Sequence, residues 1–424
     1  MPVKFRFILI GVGIVLFLIL APLAIFFARG FRVDLASGKI TKTGALVVKS
    51  DPKGAEVFLD GKRLKKTPLT KRFVFPEDYE LSVRKSGYQS WEKNISIHPQ
   101  LITNPAQKGK EEIFLFFDTP TEKSIATNTV DFLFAENELV FLNSGFEIFT
   151  ADKTGNKNTL FASISAELSN PKIAEKSGDY ALIRDGSRYF LAAPEQTWEL
   201  PDSLRNVTLA GERGKVLGID GEQSLVEHDV DSKTDGVLEK QVDGFKKIGK
   251  DIYYLRDNSL VQLSVGAQET VIAESLPNFE SSEIIVTADR QLFLLLDGSL
   301  YIVNQDLEKI NQNVAYAVWS EGSRALIYGN ENEAWLFTQQ REQRNELLAR
   351  NSGGVSAPRY NSATGYFLLA EGSTIKAVET SFDGQANVFI LGKTKNKGAE
   401  FEMDENGEYL IVKDGANLSS LKVR

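Results

Sequence analysis

The sequence predicts an all-β chain carried on a single membrane-spanning helix, and three observations predict it. An uncharged run of 22 residues, Phe7 to Ala28, stands near the N-terminus. Between 44 and 118 no helical period appears, and short runs rich in β-branched and aromatic residues alternate with Pro- and Gly-containing turns. After residue 118 one hairpin-like unit recurs eight times, at an average interval of roughly 39 residues. The predicted organisation is an N-terminal tail and anchor (1–29), a linker (30–43), a small β-sandwich (44–118) and a seven- or eight-bladed β-propeller (119–424).

At about 1.5 Å per residue the apolar run reaches roughly 33 Å as a helix, enough to cross a hydrocarbon core of about 30 Å. Lys4 and Arg6 flank it on one side, Arg29 and Arg32 on the other. A cleaved signal peptide is the alternative, but its apolar region is usually about 7–15 residues long. Here the small-residue candidate around Ala21 and Ala24 also contains Pro22. An uncleaved signal anchor is the expectation. Gly11 and Gly13 lack the GxxxG spacing of a helix dimer. Flanking positive charges nearly balance, so the positive-inside rule decides little. A six-residue head before a large domain fits export of the C-terminal bulk, placing it outside the cytoplasm on a single-pass cell-membrane protein. Residues 30–43 show no sustained period and read as a juxtamembrane linker.

Strands are expected at 44–50, 55–60, 79–84, 91–97 and 112–117. Asp51-Pro52-Lys53-Gly54 supplies a tight turn between the first two, and Asp60-Gly61 marks a hairpin. These residues resemble the PEGA domain family. The matching elements are Gly44-Ala45-Leu46-Val47-Val48, Ser50 to Ala55, Val57-Phe58-Leu59-Asp60-Gly61, Thr67-Pro68-Leu69-Thr70 and Lys85-Ser86-Gly87-Tyr88. The eponymous tetrapeptide reads Pro-Lys-Gly-Ala, departing at Lys53. The resemblance implies an exported, surface-associated sandwich and carries over no active-site residue.

Charge divides the chain. Through Asp118 there are 19 basic and 11 acidic residues, and after it 30 and 46, so a net −8 conceals +8 and −16. Lys62, Arg63, Lys65, Lys66, Lys71 and Arg72 fall within eleven residues. A solubilising loop between strands is one reading. The other is contact with anionic lipid or an anionic cell-wall polymer, at about 1 kcal/mol per charge near such a surface. Nucleic acid is not expected, because no aromatic platform interleaves with these charges.

In the repeats, an extended run, a short polar turn and a second extended run recur. Turns fall near Ser144, Asp185-Gly186, Asp220-Gly221, Asp257-Asn258, Asp297-Gly298, Asn330, Glu371-Gly372 and Asp414-Gly415. Weaker runs before and after bring each unit to about four strands, the content of a propeller blade. The last unit ends at Arg424 after its third strand, and residues 122–127 could complete it. Val318-Trp319-Ser320-Glu321-Gly322 resembles the blade signature of TolB-like and WD40-like propellers. A pair of β-sandwiches is the competing architecture.

Candidate chemistry is sparse. Without Cys there is no disulfide, thiolate nucleophile or Cys-ligated zinc, and His98 and His228 stand too far apart in sequence to suggest a histidine metal site. No nucleophile elbow, P-loop, dinucleotide fingerprint or HExxH occurs. The run Asp229 to Gly236 imitates a calcium loop, but Lys233 and Lys240 occupy ligand positions. It reads as a polar connection, and Asp404 to Gly407 as a hairpin turn. His228 is expected to be a surface or satisfied histidine, and Trp198, Trp319 and Trp335 core between blades. No catalytic residue, metal or cofactor is expected. The anticipated role is non-catalytic binding or scaffolding for protein or glycan at the cell envelope. The alternatives are a polysaccharide hydrolase or lyase, expected to show converging carboxylates at the channel mouth, or a structural spacer.

Overall fold

The computed structural model describes residues 3–33, 40–107, 109–135, 138–194, 196–264, 268–304, 306–338, 345–380 and 386–424, with side chains in the first helix from Ile10 onward. The chain forms two compact units. One comprises Met1–Thr119 with Glu379–Phe389, the other Pro120–Val378 with Ile390–Arg424.

The first unit opens on the only α-helix among the described residues, Val3–Ala28. Its 26 residues span about 39 Å, and the large apolar side chains from Ile10 to Phe27 are almost all exposed. The helix is therefore long and apolar enough to cross a membrane. It ends at Gly30, whose φ of 82° is the left-handed closing conformation that glycine adopts without a Cβ penalty. The expectation of a featureless linker is corrected where it can be seen. Phe31–Val33 and Ile40–Lys42 pair as an antiparallel ladder, too short to show a period in sequence. Residues 34–39 lie outside the described residues.

Two sheets make the sandwich. One runs Lys62–Lys66, Glu56–Leu59, Asp78–Arg84, Trp91–Ser96 in spatial order, the other Ile102–Thr103, Gly44–Val48, Leu69–Val74. Alternation of buried and half-exposed positions along Gly44–Val48 and Glu56–Leu59 turns Leu46, Val48, Val57 and Leu59 inward against Leu81, Val83 and Trp91. Asp60 and Gly61, at φ 48° and 70°, form the expected tight hairpin turn. The basic segment is not a loop. Lys62–Lys66 and Leu69–Val74 are both edge strands, and lysines on an edge discourage pairing with other chains. Low β-propensity of Lys-rich runs hid them. Residues Glu379 to Phe389 join this unit. The Glu379 side chain, 1% exposed, accepts from Lys93 Nζ at 3.1 Å and Asn387 Nδ2 at 2.7 Å.

In the second unit eight four-stranded antiparallel sheets follow one another, seven of them from consecutive strands. We number the blades in chain order: 129–163, 171–199, 205–239, 244–273, 282–312, 316–350, 359–393 and, last, 400–422 with 121–126. The eighth is completed by Thr121–Ala126, which pairs antiparallel with Asn417–Lys422. Strands from both ends thus close the ring, and blade number resolves to eight. Second strands are buried almost throughout, as in Leu292–Leu296 and Ala325–Gly329, because neighbouring blades cover both faces. Outermost strands such as Thr234–Glu239 and Gln268–Ala273 are almost wholly exposed. In blades 1, 3, 4, 5, 6 and 8 the ladder to the outermost strand carries a register shift, the local kink that increases twist. Apolar clusters fill the space between blades, for example Leu255, Leu260 and Ile284 with Leu294 and Leu296.

Candidate functional site

The innermost strands carry acidic side chains where an apolar residue would serve packing better. Several join one blade to the next. Glu402 of blade 8 accepts from Phe134 N at 2.8 Å, Asp131 of blade 1 from Ile173 N at 2.7 Å, and Glu175 of blade 2 from Leu209 N at 2.9 Å. Each carboxylate thus reaches the next blade in the same sense around the ring. Backbone N–H groups of the inner strand that have no ladder partner are satisfied in this way, as buried donors must be. Hydrogen bonds to a charged acceptor are worth about 1.5–3 kcal/mol each.

Around Asp131 these staples become a cluster. Lys172 Nζ donates to Asp131 Oδ1 at 3.1 Å and to Glu400 Oε1 at 2.8 Å, and Lys413 lies 3.6 Å from the same Glu400 oxygen. Burial pushes the Asp131 and Glu402 carboxyls up, against the pull of Ile173 N and Lys172 on the former and Phe134 N and Arg359 on the latter. Glu400, which burial alone would raise, is held low by Lys172 and Lys413. Converging, perturbed carboxylates are therefore present, the feature expected of the hydrolase alternative. Their oxygens are largely committed: both of Asp131's accept from the protein, and one of Glu402's does.

Blades 2 to 5 surround a different feature, a cavity of about 640 Å³ lined by their innermost strands and by Arg184 and Tyr189 from the next two strands of blade 2. Glu175 faces it but is tied to Thr208 Oγ1 at 2.8 Å. Arg184 donates through Nε to the Gly186 carbonyl at 2.9 Å, and its guanidinium lies 5.9 Å from the Tyr189 ring centre. Lys246 is exposed and Lys247 half-exposed on the blade-4 strand Gly244–Ile248. Glu283, from blade 5, is driven up by the walls around it and pulled back by Lys246. The lining mixes charged side chains, Glu175, Arg184, Lys246 and Glu283, with apolar ones such as Val207, Phe245 and Ile284, and Lys246 stands beside Glu283. Such a surface suits hydrogen-bonding or anionic groups rather than an apolar cofactor.

Most residues weighed in the sequence have structural places. His228 is 5% exposed, and its Nδ1 lies 2.7 Å from Asp235 Oδ1: a satisfied histidine, though a buried one. Asp229 caps its own turn, accepting from Ser232 N at 2.9 Å. Asp404 caps its hairpin through Glu408 N and Tyr409 N, and it takes Lys153 Nζ at 2.7 Å. Trp319 and Trp335 pack on one inter-blade cluster and Trp198 on another. The six basic residues separate: Lys62, Arg63, Lys65 and Lys66 stand on one sheet's edge, Lys71 and Arg72 on the other's. Arg63 is paired with Glu56. Sequence reasoning missed Asp131, Glu175, Lys246, Glu283, Glu400 and Glu402, since an acid or lysine in a half-exposed strand carries no spacing signature. Among the described residues no group of three or more His, Asp or Glu side chains converges as a metal-ligand set.

A β-propeller preceded by a sandwich and an apolar helix is the class these observations define. The PEGA domain family model matches residues 43–106. No curated protein matches the chain. Among solved structures, the C-terminal WD40 domain of Sif2 is similar at 14% identity and a TM-score of 0.51, covering 72% of this chain and 98% of its own. The computationally designed Ika8 protein is similar at 9% and 0.50, covering 71% and 98%. Virginiamycin B lyase from Staphylococcus aureus reaches 11% and 0.40 over 72% and 99%, too distant to bear on activity. The likeness to the Sif2 domain and to Ika8 is one of fold alone and leaves the chemistry of the ring to its own residues.

Proposed function

We propose that the protein is a single-pass envelope protein whose helix 3–28 stays in the membrane as an anchor and whose exported propeller is a non-catalytic binding module. The carrying observation is the polar cavity of about 640 Å³ held by blades 2 to 5. Lys246 offers a cationic donor there beside Glu283, while Glu175 is occupied by Thr208 and Leu209. The ligand class it supports best is a glycan or protein segment presenting hydroxyl and acidic groups. The clustered carboxylates around Asp131 favour inter-blade clamping over hydrolysis, because an acid–base pair needs oxygens free to face substrate at a set separation. The basic edges of the sandwich, Lys62, Arg63, Lys65, Lys66, Lys71 and Arg72, add attraction to anionic lipid or wall polymer.

The test is equilibrium binding of the full chain, in lipid nanodiscs, to fractionated envelope polysaccharides and proteins, with Lys246→Glu beside it. Saturable binding to a fraction, lost on the charge reversal, supports the reading. Binding that ignores the reversal, or no binding, overturns it. New reducing or unsaturated sugar ends on incubation would favour the hydrolase or lyase.

A further inference from the structure

The sandwich carries an apolar rim at the end where its first strand meets the helix. Thr43 fixes that end: its N and Oγ1 donate to the Gly30 carbonyl at 3.0 and 2.8 Å, two residues past the end of the helix. Across the sheet, Ala45 aligns with Ile102 on one side and Arg72 on the other. Leu101 and Phe73 flank this row, with Leu101 O accepting from Ala45 N at 3.0 Å. Ile40, Phe73, Leu101 and Ile102 are 60, 48, 59 and 72% exposed, a density of bare apolar groups that a water-facing sheet end rarely shows.

Distance decides what covers them. Neighbouring strands lie about 4.8 Å apart, so these residues sit within roughly 5–10 Å of Thr43, which is itself bonded to Gly30 where the chain leaves the helix. The headgroup layer on each side of a bilayer is about 5–8 Å thick. Cations are interleaved with the rim: the Arg32 guanidinium lies 3.8 Å from the Phe73 ring centre, and Arg72 is exposed beside it. Apolar side chains at acyl-boundary depth among cations at headgroup depth form an interfacial surface.

We infer that this rim is a second membrane contact, in which Ile40, Phe73, Leu101 and Ile102 dip into the interface of the same bilayer while Arg32 and Arg72 engage anionic headgroups. The inference rests on the anchor reading, and it makes the sandwich a seated foot rather than a free stalk.

The chain contains no cysteine, so single-cysteine variants of the full chain can be spin-labelled without background. In vesicles of phosphatidylcholine with phosphatidylglycerol, collisions with oxygen and with a water-soluble nickel chelate report depth at each label. Phe73→Cys and Ile102→Cys are expected to favour oxygen severalfold over Val271→Cys, on the exposed outer strand of blade 4, with Leu16→Cys in the helix the deepest. Adding Arg72→Glu is expected to lower the oxygen preference at position 102 in anionic vesicles and to leave it unchanged in pure phosphatidylcholine. Labels at 73 and 102 as wet as that at 271, with 16 immersed, overturn the rim and leave the anchor standing. A wet label at 16 overturns both.

Discussion

Replacing Ile125 with alanine tests whether closure of the ring depends on the strand supplied from the N-terminal side. In Thr121–Ala126 only Ile125 is buried, at 8% exposure, and it packs with Phe132, Leu139, Phe141, Ile411 and Leu418. The change removes three carbons, about 2.4 kcal/mol of transfer free energy at about 0.8 each. Incomplete collapse adds to that: a Cβ built on Gly155 would lie only 2.7 Å from Ile125 Cγ1, so backbone already fills one side of the site. The total should be about 3 kcal/mol, inside the usual range of about 2–5 for such truncations. At about 1.4 kcal/mol per factor of ten, opening of the closing strand becomes about 100-fold more frequent. Amide hydrogen exchange along Asn417–Lys422, in the full chain in detergent micelles, reads this directly. Leu160→Ala, on the exposed outer strand of blade 1, is the control and should change exchange little. Unchanged protection of the 417–422 ladder in Ile125→Ala, or acceleration no greater than in the control, would refute the closure argument.

Three further predictions concern charge. The Asp185 side chain is 4% exposed, and its carboxylate accepts from Asn170 N at 2.7 Å and Ser169 N at 3.1 Å beside Arg188. Although burial acts to raise it, these donors hold its pKa low, so it stabilises the fold above the unfolded value of about 3.9 and loses that as pH falls through the folded pKa. Asp185→Asn should cost about 1.5–3 kcal/mol at pH 7, with the gap closing in acid, read from urea midpoints at the two pH values. Glu402 has the opposite sign. Its raised pKa makes its ionised form unfavourable in the folded ring, so its contribution is best in acid and is lost as pH rises through the folded pKa. Glu402→Gln keeps an acceptor for Phe134 N and should raise stability at neutral pH but not in acid; a loss at neutral pH would show that the charge is needed. Lys93→Ala leaves Glu379, 1% exposed, without its counter-charge and should destabilise by about 3–5 kcal/mol, partly recovered by adding Glu379→Gln; absence of recovery in thermal unfolding would count against the pairing.

How much of this was legible depended on burial. Strands such as Leu292–Leu296 and Tyr366–Glu371 are covered on both faces and read as unbroken apolar runs. Their turns announce themselves too: Asp297-Gly298, at φ 44° and 73°, is a tight hairpin spelled in its sequence. The same aspartate has a second task invisible in a sequence, since its carboxylate accepts from Glu280 N and Ser281 N ahead of the blade's first strand. The strand Thr121–Ala126 that completes the last blade shows in the sequence through counting, since that unit is one strand short, and not through its own pattern. Lys62–Lys66 stayed hidden, for an edge strand facing water needs no apolar face. The cavity residues were illegible for a different reason. Glu175, Lys246 and Glu283 come from three blades and meet only when the ring is built.

On the proposed reading the helix anchors the chain while the propeller lies outside the cytoplasm. Val271, 52% exposed on the outer strand of blade 4, can be made the only cysteine in the full chain. A membrane-impermeant maleimide applied to intact cells then tests the claim directly. Modification at position 271 without lysis is expected, with the labelled chain remaining in the membrane fraction. Modification only after the cells are opened would contradict it.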